Sequence, residues 1–221
     1  MDAVTSAYQA EARRRMRETA LDVAAEQVVA HGWRGLQVRT VATRTGVSRQ
    51  TLYKSFGDKH GLSQALVLRH TERLLDEIAD AMARAATLHE RWAAAVQTTL
   101  TAAEGDPLVK AVLLSDSSDE FLPLLTSRGA PVLDRAQHRL TELVVEHHPD
   151  LDTDRVTVAA EALTRLTLSH LVLPRRPTPQ IAEEIAEMAS AYLSGPGSAR
   201  PPRPARARRA SASRRAGSLE W

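Results

Sequence analysis

No cysteine occurs among the 221 residues, which excludes disulfides, thiolate metal sites and a cysteine nucleophile. Aromatic residues make up only 4% of the chain. A core must therefore be built mainly from Ala, Leu and Val, and that composition favours helices over sheets. No uninterrupted apolar run approaches the ~18 residues of a membrane-spanning helix. The opening stretch MDAVTSAYQAEARRRMRETA has no apolar segment of the signal-peptide kind. A soluble, cytoplasmic protein with no membrane partner is expected. Phosphate-binding loops, nucleophile motifs and metal-ligand spacings are also absent. His138 is spaced for pairing along its own helix with Asp134 and Glu142. With His147 and His148 it makes no metal site, and no metal or other cofactor is expected. Asp116, Asp119 and Glu120 in SDSSDE read as a loop with a helix cap rather than an acid/base pair. No enzymatic activity is expected.

What the chain does hold is an ordinary apolar fraction, 43%, enough for a core. Its charge is unevenly placed. Residues 1–60 carry ten basic and six acidic residues, a balance of +4, and the segment from Gly195 has seven arginines against Glu220, +6. The whole-chain value of +2 leaves −8 for residues 61–194. Two basic ends around an acidic middle suggest a polyanion as partner for the ends. Arg13, Arg14, Arg15 and Arg17 suit phosphate or minor-groove contacts, and equally a solvated charged face.

Apolar periodicity predicts a helix over 9–31, ended by Gly32, and a short one over 38–45, ended by Gly46. Ser48 is a good N-cap for a third over 49–55. A long helix is expected over 59–84, another over 88–104, and a helix start at Asp106-Pro107. Phe121–Leu133, with two prolines and a glycine, reads as a bend. Further helices are expected over 131–147, 153–173 and 179–194. Beyond Leu193 the composition collapses to Pro, Arg, Ala, Ser and Gly, which cannot bury enough apolar surface to order itself.

The stretch RTGVSRQTLYKSFGDKHGL places a glycine turn between two short helices, a helix-turn-helix layout. Leu52 and Phe56 can anchor the second helix, leaving Arg49, Gln50, Thr51, Tyr53 and Lys54 outward. Arg suits guanine, Gln suits adenine, and Thr offers a hydroxyl or its methyl to thymine. Tyr and Lys can hold phosphates, as can the helix start at Lys59. Within residues 15–66, Val41-Ala42, Gly46-Val47-Ser48, Leu52-Tyr53, Phe56 and Lys59 stand in the order and spacing of the DNA-binding domain of TetR-family transcriptional regulators, which this segment closely resembles. Gln37 departs from the Ser or Thr usual there. FLPLLTSRGAPVLDRA and RLTLSHLVLP resemble actinobacterial members of that family.

The resemblance implies an all-α fold, with an N-terminal three-helix helix-turn-helix DNA-binding domain and a C-terminal helical ligand-binding and dimerisation domain. The expected division is residues 1–60, residues 61–194 and a basic tail, 195–221. The resemblance also implies a homodimeric repressor of transcription on double-stranded operator DNA. Base contacts are implied for Arg49, Gln50 and Thr51, phosphate contacts for Tyr53 and Lys59, and either for Arg39; Ser48 and Lys54 complete the expected DNA-binding set. The apolar pattern of the last two helices asks for a partner by itself, with Leu163, Leu166, His170, Ile181, Ile185, Met188 and Tyr192 as the expected dimer interface. A pocket for a small apolar effector is expected between the middle helices. Its expected lining is Trp92, Val96, Leu100, Val112, Phe121, Leu125, Leu140 and Leu143. A rival is a helical ligand- or protein-binding module whose DNA binding is vestigial.

Overall fold

A computed structural model describes residues 2–113 and 130–195, with the side chains of residues 2–5 and 111–113 outside the description. Asp116, Asp119, Glu120, most of the proline-rich bend and nearly all of the basic tail lie outside the described residues. The described chain is all-α: α1 (Asp2–His31), α2 (Val38–Thr45), α3 (Arg49–Phe56), α4 (Lys59–Ala83), α5 (Leu88–Gly105), α6 (Pro107–Leu113), α7 (Ala130–His147), α8 (Thr153–Val172) and α9 (Thr178–Ser194).

Local chemistry sets most of these boundaries. Gly46 closes α2 at φ 72°, where a left-handed residue returns its N–H to the last turn. Asp58 starts α4 by accepting the Gly61 N–H at 2.7 Å. Thr87 and Glu90 form a reciprocal capping box at α5. Asp106 opens α6 by accepting the N–H groups of Leu108 at 2.6 Å and Val109 at 3.1 Å. Gln37 offers α2 no side-chain cap; instead its own N–H donates to Gln27 Oε1 on α1, at 3.1 Å. The first helix begins seven residues earlier than its apolar stripe predicts, because residues 2–8 carry no such stripe.

Two apolar clusters form. One gathers α1, α2, α3 and the first half of α4 around Val28, Val41, Leu52, Leu62 and Leu66. The other gathers the second half of α4 with α5, α7, α8 and α9 around Trp92, Val96, Val144 and Ile181. The 25-residue α4 contributes to both. It is tied to α1 by Arg69, whose guanidinium reaches Asp22 at 2.8 Å and Glu18 at 3.2 Å. Among the described residues of α5 to α9, Leu108 on α6 is buried in the N-terminal cluster.

Candidate nucleic-acid interface and interior cavity

α2 is held by buried Val41 and Ala42, and α3 by Leu52, 1% exposed, with Phe56 half-buried. The far end of α3 is locked by Arg17. Its guanidinium lies 4.3 Å from the Phe56 ring centroid and donates to the Ser55 carbonyl. Such a stack adds to the packing of a half-buried ring. Arg17 is thus a brace between α1 and α3. Arg14 and Arg15 pair with Glu11 at 2.9 and 2.8 Å, and their hydrogen bonds, Arg14's first, hold the Glu11 carboxyl down to about 2.

With α3 fixed by one face, Arg49, Gln50, Thr51, Tyr53 and Lys54 are exposed, and Arg39 is exposed on α2. Among the described residues, no hydrogen bond or ion pair engages the side chains of Arg39, Arg49, Gln50, Tyr53 or Lys54. Ser48 is different. Its Oγ accepts the Thr51 N–H at 3.1 Å and lies 2.9 Å from Thr51 Oγ1, so its hydroxyl is employed as the cap of α3. Lys59, half-buried in the first turn of α4, places Nζ 3.5 Å from the Arg34 carbonyl.

An apolar cavity of about 150 Å³ lies among α4, α5, α6, α7 and α8. Leu74, Ile78, Ala136, Leu140 and Leu163 are among its walls, with Trp33 on the side of the α1–α2 turn. Four threonines also line it, each with its hydroxyl proton already committed. Thr71, Thr99, Thr164 and Thr167 donate to the carbonyls of Val67, Ala95, Ala160 and Leu163 at 2.7–2.9 Å, each four residues back on its own helix. Their methyl groups remain for the cavity. The one titratable group among the described lining residues, His70, has Nε2 3.0 Å from Asp106 Oδ2.

Of the eight residues expected to line a pocket, Leu140 lines this one. Trp92 and Val96 are fully buried in close-packed core, and Leu143 packs against that core. Leu100 borders a second cavity, with Ile181 and Leu171. Phe121 and Leu125 lie outside the described residues, as does the side chain of Val112. The threonines and Trp33 were missed. Thr71 and Thr99 sit on the inward stripes of their helices, four residues from Val67 and Ala95, which is the signal that could have revealed them.

The expected dimer set divides in the structure. Leu163, Ile181 and Ile185 are buried inside the protomer, because α9 packs against α5 and α8. That burial places them in the protomer's own core. Leu166 and His170 are half-buried, whereas Met188 and Tyr192 are 60% and 40% exposed. Val158 and Val172 are also large exposed apolar residues on α8. With exposed Ala162, Arg165 and Ser169 they form one stripe at helical spacing.

Residues 20–66 match the family described as bacterial regulatory proteins, tetR family, and residues 87–191 match the bacterial tetracyclin repressor C-terminal domain. The chain belongs to the TetR family of transcriptional regulators. The HTH-type transcriptional regulator AlkX of Mycobacterium tuberculosis is 27% identical over 191 residues, 86% of this chain and 90% of that protein. The crystal structure of the TetR family repressor AlkX from Dietzia sp. strain DQ12-45-1b, implicated in biodegradation of n-alkanes, superposes with a TM-score of 0.68. It is 27% identical and covers 80% of this chain and 95% of its own. The R. erythropolis TetR family repressor QsdR has the same fold, with a TM-score of 0.61 at 22% identity over 82% of this chain and 95% of that one. TetR membership makes the protein a DNA-binding transcriptional regulator, with a helix-turn-helix domain followed by a ligand-binding type of helical domain. Among the described residues no helix is long and apolar enough to cross a membrane.

Proposed function

We infer that the protein represses transcription as a cytoplasmic homodimer on a near-palindromic operator, and leaves it when a small apolar molecule fills the interior cavity. The observation that carries the DNA half is the exposed, unengaged set Arg49, Gln50, Tyr53 and Lys54 on an α3 whose other face is anchored by Leu52 and Phe56. Arg49, Gln50 and Thr51 are assigned to base edges. Tyr53, Lys54 and Lys59 are assigned to phosphates, and Arg39 to either. Residues 1–60 form the DNA-binding unit, 61–194 the effector and dimer unit, and 195–221 a basic tail adding salt-sensitive affinity. The protein is assigned no catalytic role.

The dimer face proposed is the exposed stripe Val158–Ala162–Val172 with Met188 and Tyr192. Two-fold pairing would set two copies of α3 about one DNA turn apart, ~34–36 Å or somewhat more. The effector reading rests on the cavity wall. With the hydroxyl proton of each described lining threonine given to its own helix, these residues offer a guest no donor, and a guest that needs no hydrogen bond is favoured. A hydrocarbon chain meets that demand, and the relative AlkX from Dietzia is implicated in n-alkane biodegradation. To release DNA, the effector must bind the non-binding arrangement more tightly than the binding one, and α4, which enters both clusters, is the lever.

The test is a salt-titrated gel shift with the protein's own upstream DNA. Wild type should prefer one near-palindrome, and Arg49→Ala should lose ~1–3 kcal/mol of discrimination at one base pair per half-site. Equal binding to all duplexes, unchanged by Arg49→Ala, would refute this function.

A further inference from the structure

We propose that Trp33, a residue of the helix-turn-helix half, is an effector-contacting residue and the point through which cavity occupancy acts on the DNA-reading surface. This rests on the apolar-effector reading of the cavity given above.

Trp33 is the one described residue preceding α4 that lines the cavity. It is 2% exposed and at the same time a member of the N-terminal cluster. Leu108 makes the reciprocal crossing: it comes from α6, is buried in that same cluster, and also lines the cavity. A guest on this side therefore meets two members of the DNA-binding core directly. The α6 wall is well held, since Asp106 caps α6 with Oδ1 while Oδ2 faces His70 Nε2 on α4 at 3.0 Å.

Behind Trp33 the backbone has little slack. Gly32 stands at φ 68°. The turn is closed by Gly35 N–H to the Gly32 carbonyl at 3.1 Å and Leu36 N–H to the Trp33 carbonyl at 3.2 Å. A Cβ on Gly35 would fall 2.4 Å from His31 Cβ, so the turn is seated tightly against the end of α1. Two connections run from this turn to the DNA face. The chain enters α2, which bears Arg39, five residues after Trp33. The carbonyl of Arg34, the very next residue, accepts from Lys59 Nζ at 3.5 Å. A shift of the indole is thus passed to the start of α2 and to the first turn of α4 together.

Guest size supplies the push. An apolar cavity of ~150 Å³ takes a benzene-sized molecule as it stands. A longer chain enters only if a wall moves, and packed cores respond to such intrusion by discrete rearrangement.

The test uses the full-length protein labelled with 5-fluorotryptophan and n-octane as the probe. The chain has three tryptophans, so three 19F resonances are assigned with Trp92→Phe and Trp221→Phe. Octane binding is followed by calorimetry and operator affinity by gel shift. The expected result is a Trp33 resonance that moves in step with octane saturation, and an operator affinity that falls at least ~5-fold, the lower end of ordinary coupling. In Trp33→Phe octane still binds, but the loss of operator affinity shrinks below ~2-fold. If that variant fails to fold, the wild-type resonance decides. Octane that binds and weakens operator binding while the Trp33 resonance stays still overturns this inference and leaves the effector reading standing. So does a Trp33→Phe protein that responds like wild type. A Trp33 shift with no change in operator affinity overturns the transmission role. No octane binding at all overturns both readings.

Discussion

Ser48 is exposed beside the side chains proposed to read DNA, and its hydroxyl is employed as a cap. It accepts the Thr51 N–H at 3.1 Å and is the one side-chain cap of the eight-residue α3. Loss of an N-cap costs ~1 kcal/mol, and for a domain of this size that lowers Tm by ~2–4 °C. Ser48→Ala should show this loss in thermal unfolding without DNA. Its DNA affinity should fall by at most about fivefold, the same cost expressed as binding, and equally on all sequences, because a loosened helix reads every base pair less well. Ser48→Asp separates cap from contact. Aspartate caps as well as serine and favours the helix N-terminus, so stability should return to within ~0.5 kcal/mol of wild type. The new negative charge faces phosphate, so affinity should drop below that of Ser48→Ala, and the salt slope should shrink by about one. Unfolding, gel shift and salt titration on three proteins give the full set. If Ser48→Ala leaves Tm unchanged and relaxes preference at a single base pair, the hydroxyl reads a base and the capping argument fails.

Met188→Arg places a charge on the exposed apolar face of α9 without touching the protomer core, so it should shift the protein toward monomer in sedimentation and abolish half-site cooperativity. A variant that stays dimeric at the same concentration would place the interface elsewhere. His148 is held below the ordinary imidazole value, by burial first and then by the nearby Arg91 guanidinium. The folded state therefore favours neutral imidazole, and between the two pKa values the unfolded chain binds more protons. This contribution is present above the unfolded value, ~6.5, and is lost as pH falls through the folded one. Denaturant unfolding should show wild type losing stability across that fall, and His148→Gln should flatten the profile; an equally steep profile in the variant would assign the effect to other groups.

Much of the N-terminal half was legible because its signals are local. Gly46, Ser48 and Asp58 end or begin helices through bonds spanning three to five residues, so the bounds of α2 and the start of α3 follow from residue types alone. The exposed row on α3 follows too, since anchoring Leu52 and Phe56 turns the rest of a two-turn helix outward. Ser48, expected among the DNA contacts, also has a task that the sequence gives it independently: its hydroxyl caps α3.

The cavity and the exposed apolar stripe were not legible in the same way. Apolar periodicity states that Trp92, Val96, Ile181 and Ile185 face inward. It does not state which neighbour covers them or whether space is left at their level. Packing of α9 on α5 and α8 buried Leu163, Ile181 and Ile185 of the expected interface set and left Met188 and Tyr192 of that set exposed, together with Val158 and Val172. The threonines read as polar along the chain, yet i−4 bonding to their own helices makes them apolar walls. Trp33 and Leu108, 75 residues apart in the chain, share one core only because α6 folds back onto α1. Helix identity, the ends of α2, the start of α3 and the exposed row on α3 were thus determined by the sequence alone, through short-range bonding. The cavity, its apolar lining and its contact with the DNA-binding core were decided by tertiary packing, because they depend on which faces of distant helices meet.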